Sequence, residues 1–470
     1  MRKHIAYIKV GVNRGLKRIW IQGQRLTDSN IHAGKPVSII ADEVAQIITI
    51  TMSADGDRIV SSRKKAANVQ PIIDVENQTI TRMYQHISKL KVSFFDGKVI
   101  ITVHPDEAAK KERLDILNEK LKSGSPLSCG SVAHGGGILD NAIHTGFSDK
   151  DLSLYLDFAI EIERAYLDCS LRNNSVWSAG KGVAIHAPME DVELSELGQV
   201  DVLLAGLPCT GASKSGKTKN KLVHAEDHKT AGNLFFPFLA ICKAVNPSVI
   251  IIENVTEYAS TASMSVIRAT LEQCGYLVHE TVLNGNKMGA LENRNRLVVV
   301  AVTEGLEIKI EKLAPIQEKP KNLSAILEDT LLSDPSWKKY ENLIEKEKAD
   351  KIAGKGFSMQ ILESDATQCP VLGKGYHKVR GTEPKLRHPL NSNLMRQFTV
   401  SEHAKIKNIP HNLIAGCSAT IAHEILGQSV VYPAFQAVGR TVATCLKNWF
   451  EKRLSPVLSV GQMSLWDIAA

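Results

Sequence analysis

The run Asp201-Val202-Leu203-Leu204-Ala205-Gly206-Leu207-Pro208-Cys209 carries a short aliphatic strand straight into a Pro-Cys turn, and a loop rich in Gly and Lys follows it. Parallel strands bury both faces and read as unbroken aliphatic runs, while the loops at their carboxyl ends carry reactive groups. The pattern therefore sets a thiol, Cys209, at the mouth of an α/β sheet. A second run, Val249-Ile250-Ile251-Ile252, ends in Glu253-Asn254-Val255, which could stand a carboxylate beside that thiol. Taken alone, a cysteine after a strand is more often a small buried hydrophobe than a nucleophile. Its company is what gives it weight: a Gly-rich turn from Cys129 to Gly137, an acid closing a strand at Glu161, Arg294-Asn295-Arg296, and Gly427-Gln428-Ser429-Val430.

In this order and at these separations the set resembles the C5-cytosine DNA methyltransferase family of bacteria and phages, over roughly residues 125 to 447. The resemblance implies methyl transfer from S-adenosylmethionine to carbon 5 of cytosine in DNA. That carbon is a poor nucleophile until a thiolate adds to carbon 6, the covalent chemistry a cysteine performs near neutral pH. Cys209 is the implied nucleophile. Glu253 is the implied acid beside ring nitrogen 3. Arg294 and Arg296, one residue apart at the start of a strand and so expected on one face, could hold the base carbonyl, a phosphate or the Glu253 carboxylate. The base must leave the duplex stack to be reached.

For the cofactor, Gly130, Gly135 and Gly136 would let the backbone come close to its methionine portion. Glu161, with Glu163 as the alternative, would accept from the ribose hydroxyls. Asp191 or Glu190 would meet the adenine amino group, and Ser429 the methionine carboxylate. Several positions depart from the family pattern. Thr210 stands in place of the usual Gln after Pro-Cys, Gly211-Ala212-Ser213 replaces Ser-Phe-Ser, and Glu292 replaces the Gln before the arginines. Gln428 stands where Asn is usual, the Gly-rich turn has two extra residues, and the aromatic residue usual before it is missing.

The elements that would position these groups follow from periodicity and punctuation. Residues 1–106 hold short alternating apolar runs (Trp20 to Gln22, Val37 to Ile40, Ile47 to Thr51, Val92 to Val103) broken by Gly34, Gly56 and Gly97, and predict a β-rich module of unassigned role. No internal repeat is apparent. Residues 107–124 are charged at helical spacing and predict a linker helix. From 125 to 304, helices at Ile138 to Thr145, Gly232 to Val245 and Met264 to Cys274 alternate with strands at Leu154 to Ile160, Val200 to Ala205, Val249 to Ile252 and Leu297 to Val302. Such alternation predicts an α/β fold with a doubly wound, mostly parallel sheet. Residues 305–394 are richer in Lys, Glu, Gly and Pro and predict a smaller inserted lobe, which the resemblance makes a target-recognition domain. Residues 395–450 return to the catalytic domain, and 451–470 form a tail.

A chain of 470 residues, 43% hydrophobic and 23% charged, supports two or three globular domains. The eight cysteines include no Cys-x-x-Cys pair, which argues against a zinc ribbon or a disulfide framework. No apolar run has the length of a membrane span and the start lacks a signal-peptide core, so a cytoplasmic protein is expected. The net charge of +7 fits a polyanionic partner, here double-stranded DNA. Lys214, Lys217, Lys219 and Lys221 after Cys209, and Lys374, Tyr376, Lys378 and Arg380 in the lobe, suit phosphate and base-edge contacts. The tail carries Gln462, Leu465 and Trp466 in a pattern similar to the short peptides by which bacterial proteins dock on the sliding clamp. Two other readings stay open here: an RNA cytosine-5 methyltransferase, and a catalytically silent DNA-binding protein.

Overall fold

A computed structural model describes residues 2–65, 68–177, 181–208, 225–228 and 232–454. The chain divides into two compact units, Met1–Glu112 and Arg113–Ala470, with the boundary inside the helix Pro105–Ser123. Among the described residues no helix is long and apolar enough to cross a membrane, and the seven described cysteines are free.

The first unit packs a six-stranded sheet against a four-stranded one around Ile19, Ile48, Ile50, Tyr84, Val92, Phe94 and Ile101. It contains the repeat that the sequence hides. Strand Leu16–Gln22, helix Gln24–Thr27 and hairpin Pro36–Asp42/Ile47–Met52 have counterparts in Asn68–Glu76, Gln78–Met83 and Lys89–Phe95/Lys98–Val103. The two copies pair with each other through Trp20↔Asp74 and Thr49↔Ile100, which are equivalent positions, so a pseudo-twofold axis runs through both pairs. The single run expected from Val92 to Val103 is the second copy's hairpin, turned at Gly97 with φ +61°.

The second unit is built on a seven-stranded sheet in the order Val183–His186, Leu154–Glu161, Leu127–Val132, Val202–Ala205, Val249–Asn254, Asn295–Thr303 and Tyr276–Asn284. The first five run parallel, Asn295–Thr303 runs against them, and Tyr276–Asn284, antiparallel to Asn295–Thr303, runs in their direction again. This is the α/β, mostly parallel arrangement the alternation predicts. Its strands bury both faces, so every residue of Leu127–Val132 and Val202–Ala205 is inaccessible. Consequently the carboxyl ends of the parallel strands, with Glu161, Pro208 and Glu253, lie along one edge.

The segment between the strand Asn295–Thr303 and the helix Val400–Ile406 holds a three-stranded sheet (Ile361–Leu362, Lys385–Arg387, Met395–Arg396) and the helix Glu341–Ile352. Its small core of Leu323, Cys369, Leu372, Tyr376, Leu386 and Phe398 also takes in Leu291 and Ile406 from the flanking segments. Arg396 and Glu402 close the return through two 2.6 Å hydrogen bonds, both side chains buried. The long final helix Tyr432–Leu454 then lies against Ile138–Ser148. The two backbones approach where Gly146 meets Gly439: a Cβ on Gly146 would sit 2.3 Å from the Gln436 carbonyl, and one on Gly439 would sit 2.6 Å from that of Ile143. Backbone atoms cannot rotate aside as a side chain can. Gly146→Val should therefore lower unfolding stability by about 3 kcal/mol, the upper end for overpacking, read as an earlier urea midpoint. An unchanged midpoint would mean that the two helices do not depend on this contact.

Candidate functional site

The strand Leu127–Val132 ends in a turn whose shape is set by one acid. Gly135 N–H donates to Glu161 Oε2 at 2.6 Å, and Glu163 N–H donates to Oε1 at 2.9 Å, so the carboxylate closing one strand pins the turn leaving its neighbour. Gly135 and Gly137 both have positive φ, which glycine adopts without strain. The two extra residues of this turn bring in His134, which the sequence reading passed over. Its Nδ1 lies 3.0 Å from Ser131 Oγ and 3.1 Å from Asp140 Oδ2, and its Nε2 lies 2.7 Å from Ser170 Oγ. Burial would push the Asp140 carboxyl up, but His134 and the Ser131 hydroxyl outweigh it and hold it below its ordinary value. The set has the composition of a hydrolytic triad. Ser170, however, is fully buried and also accepts from Trp177 Nε1 at 3.1 Å, so it clamps the turn rather than attacking anything.

Of the three glycines expected at the cofactor, Gly130 is corrected. It sits inside the strand, between Phe158 and Leu203 in the ladders, and a Cβ there would lie 2.4 Å from the Phe158 ring. Packing across the sheet, not approach to a ligand, requires this glycine. Gly136 faces Ile425, 2.5 Å from where its Cβ would be. Gly135 is different: among the described residues nothing lies closer to its Cβ position than Gln428 Nε2 at 4.0 Å. That open side, together with the free lone pairs left on Glu161, fits a bound S-adenosylmethionine. Asp191, exposed in the short turn Met189–Asp191, lines a cavity of about 340 Å³ with Phe158, Ile185, Ala187 and Val192. Ser429 turns its hydroxyl back to the Leu426 carbonyl at 2.8 Å as it ends the helix Ala419–Gln428, leaving Gln428 as the side chain over the turn.

The second half of the site gathers around Glu253. Its Oε1 accepts from Arg296 Nε at 2.6 Å, which selects the carboxylate among the three partners considered for that arginine. Next to it, buried Asn254 donates from Nδ2 to the Leu207 carbonyl at 3.2 Å and accepts from Val255 N–H at 2.8 Å. The acid's own neighbour thus clasps the turn that leads to Cys209. Gly206 N–H donates to the Val132 carbonyl at 3.1 Å, joining that turn to the Gly-rich strand. Cys209 itself, with Lys214, Lys217, Lys219 and Lys221, lies outside the described residues, as do Gln462, Leu465 and Trp466.

Arg294 does not share the face of Arg296 in function. It is buried, donating to the Gly427 carbonyl at 3.1 Å and standing 3.4 Å from Glu292 and from the Leu372 carbonyl. Its place in the catalytic set is corrected to a positioning one. Glu292, fully buried, accepts from Leu372 N–H at 3.0 Å and lies 3.7 Å from the ammonium of Lys407, also fully buried. Lys407 in turn donates to the carbonyls of Leu426 and Ser429. Burial pushes its ammonium well below the ordinary lysine value, while Glu292 pulls it back up. Lys407 carries no mark in the sequence, standing beside Lys405 at the end of the helix Val400–Ile406.

In the lobe, Tyr376 is corrected as a nucleic-acid contact. It is fully buried, its hydroxyl donating to the Pro384 carbonyl and accepting from Phe398 N–H. Lys374, Lys378 and Arg380 are exposed, Lys374 lying 5.0 Å from the Tyr166 ring centre.

The chain is similar to known proteins over much of its length. The profile of the family described as C-5 cytosine-specific DNA methylase matches residues 143–444, beginning just after the Gly-rich turn. Type II methyltransferase M1.ScrFI of Lactococcus lactis subsp. cremoris is 27% identical over 289 residues, covering 58% of this chain and 69% of that protein. Type II methyltransferase M.NlaX of Neisseria lactamica is 24% identical over 320 residues, covering 66% and 96%. Among solved structures, the S. pombe Dnmt2 methyltransferase shares the fold with a TM-score of 0.53 at 17% identity, over 68% of this chain and 99% of that one.

The buried Glu292–Lys407 pair generates a double-variant test. Glu292→Gln removes the carboxylate facing Lys407 and Arg294 and should cost about 3 kcal/mol, whereas Glu292→Gln/Lys407→Gln should recover part of it in urea unfolding. Equal losses in the single and double variants would show that the two charges are not coupled.

Proposed function

The chain belongs to the C-5 cytosine-specific DNA methylase family and is a DNA (cytosine-5-)-methyltransferase that uses S-adenosylmethionine; from that premise we propose that it works through a covalent adduct between Cys209 and carbon 6 of a cytosine rotated out of the duplex. The cofactor supplies an electrophilic methyl group. The remaining tasks fall to this chain's residues. Cys209, as thiolate, adds to carbon 6 and pushes electron density towards carbon 5. Glu253 meets ring nitrogen 3, where the displaced charge collects, and Arg296 keeps the carboxylate in place. Once carbon 5 carries the methyl group, loss of its proton and departure of the Cys209 sulfur restore the aromatic ring.

The observation that carries this reading is the clasp between Asn254 and the Leu207 carbonyl. It ties the acid's strand to the turn entering the nucleophile, which is the coupling two-residue chemistry on one ring requires. Gly135, Glu161, Asp191 and Gln428 would hold the cofactor. Lys214, Lys217 and Lys219, with Lys374, Lys378 and Arg380 of the 305–394 lobe, would take phosphates, and that lobe would select the site. The type II relatives support a place in restriction-modification. The tail peptide with Gln462, Leu465 and Trp466 would dock on a sliding clamp, and deleting it should end co-purification with the clamp.

Labelled methyl groups from S-adenosylmethionine should appear on carbon 5 of cytosine in duplex DNA and vanish with Cys209→Ala. Glu253→Gln should lower kcat by about 10²–10³, as removal of a charge-stabilising group does, with DNA affinity kept. A duplex carrying 5-fluorocytosine at the site should trap the unaltered chain covalently and leave Cys209→Ser untrapped. Trapping that persists in the serine variant would refute Cys209 as the nucleophile.

A further inference from the structure

The positive charge of this protein is not spread along it. Residues 1–112 hold 18 Lys and Arg against 11 Asp and Glu, while the other 358 residues hold 39 of each, so the entire formal charge of +7 belongs to the first unit. Within that unit one face of the six-stranded sheet carries four of these cations. Lys9 stands directly opposite Lys89 in the antiparallel ladder, with Tyr7 opposite Lys91 on the same face and Lys98 paired with Phe95 one strand further in. Alternate residues Ala6, Leu90, Val92, Phe94 and Val99 point into the core, so these lysines point out. None of the four has a carboxylate partner among the described residues.

Like charges directly opposite each other destabilise a ladder, and folding alone does not call for them. The internal repeat supplies the control. Equivalent positions in the first copy are Pro36 for Lys89, Ser38 for Lys91 and Ile47 for Lys98, and they form the same hairpin with no cation. The lysines are an addition to the scaffold, and an anion lying across them would relieve their mutual repulsion. Tyr7, 60% exposed beside Lys91, adds a ring with a donor hydroxyl at the same place.

We infer that this face, built by Lys9, Lys89, Lys91 and Lys98 around Tyr7, is a second contact surface for duplex DNA that grips phosphates without reading sequence. The inference rests on DNA being the substrate of the catalytic unit, which makes a DNA backbone the polyanion at hand. Phosphate contacts by lysine release counterions, so each one steepens the fall of affinity with salt by about 0.9 in the log–log slope.

The test uses the full chain and duplex DNA without a target site, with dissociation constants measured by anisotropy across a salt series. Lys9→Gln/Lys89→Gln/Lys91→Gln should flatten the slope by about 2.7, for three lost contacts, and Lys→Arg at the same three positions should restore it. Lys9→Gln alone, at an exposed edge-strand position, should flatten it by about 0.9 and covers the case of a triple variant that folds poorly. An unchanged slope in both, with methyl transfer by the unaltered chain intact, would overturn the inference while leaving the reaction standing. Failure of that transfer would instead count against the reaction. Tighter binding of duplex RNA than of DNA, or a change of sedimenting mass in place of a change of slope, would assign the face to RNA or to a second copy and overturn it equally.

Discussion

The buried pair of Glu292 and Lys407 is the constraint on which the site geometry depends. A carboxylate fully removed from water costs several kcal/mol unless matched, and at this position the resemblance expects a neutral Gln. Arg294 stands 3.4 Å from Glu292, and Lys407 3.7 Å. Its ammonium then takes the carbonyls of Leu426 and Ser429, and Arg294 takes that of Gly427. The end of one helix is thereby fixed against the segment that starts a strand. Gln428 is carried over Gly135 at one end of this arrangement, and Arg296 is delivered to Glu253 at the other. A pair of this kind adds little net stability over an apolar substitute, and what it contributes here is a single register between cofactor side and base side.

How much of this could be read from the chain depends on whether the property is local. Unbroken aliphatic runs such as Val249–Ile252 and Leu297–Val302 can only be strands buried on both faces, and they lie in the sheet as expected. Glu253 and Asn254 were legible for the same reason, being the residues at which such a run stops. Gly130 was not, since a glycine looks the same whether a turn or a neighbouring Phe158 ring requires it. Tyr376, among His377, Lys378 and Arg380, reads as surface; only the three-dimensional fold supplies the Pro384 carbonyl and Phe398 N–H that let its hydroxyl be buried. The duplication in the first unit stayed hidden because its copies share element order and ladder register but few residue types.

Arg294 and Arg296 show the limit of spacing arguments most directly. Two residues apart in a strand means one face, yet Arg294 precedes the strand Asn295–Thr303 and is under no such rule. The segment from Leu291 to Asn293 is instead held by the Ile406 and Cys369 carbonyls, which turns Arg294 towards the return helix. A shift of one residue in where the strand begins separates a side chain that holds the acid from one that holds the scaffold.

The same separation of roles runs through the acids of the site. Glu161 has both oxygens on backbone N–H groups, Glu253 is on a guanidinium, and Glu292 is on a backbone N–H and near an ammonium. Each is oriented before any ligand arrives, and fixed donors cost no reorganisation when charge develops. With the catalytic unit carrying equal numbers of acids and bases, these local arrangements, rather than a net field, must set how it meets DNA. Screening over about 8 Å at physiological salt limits a net charge to near-surface effects in any case. A cationic surface in the first unit therefore supplies what a neutral catalytic unit lacks, a grip on the phosphate backbone that does not depend on the sequence being read.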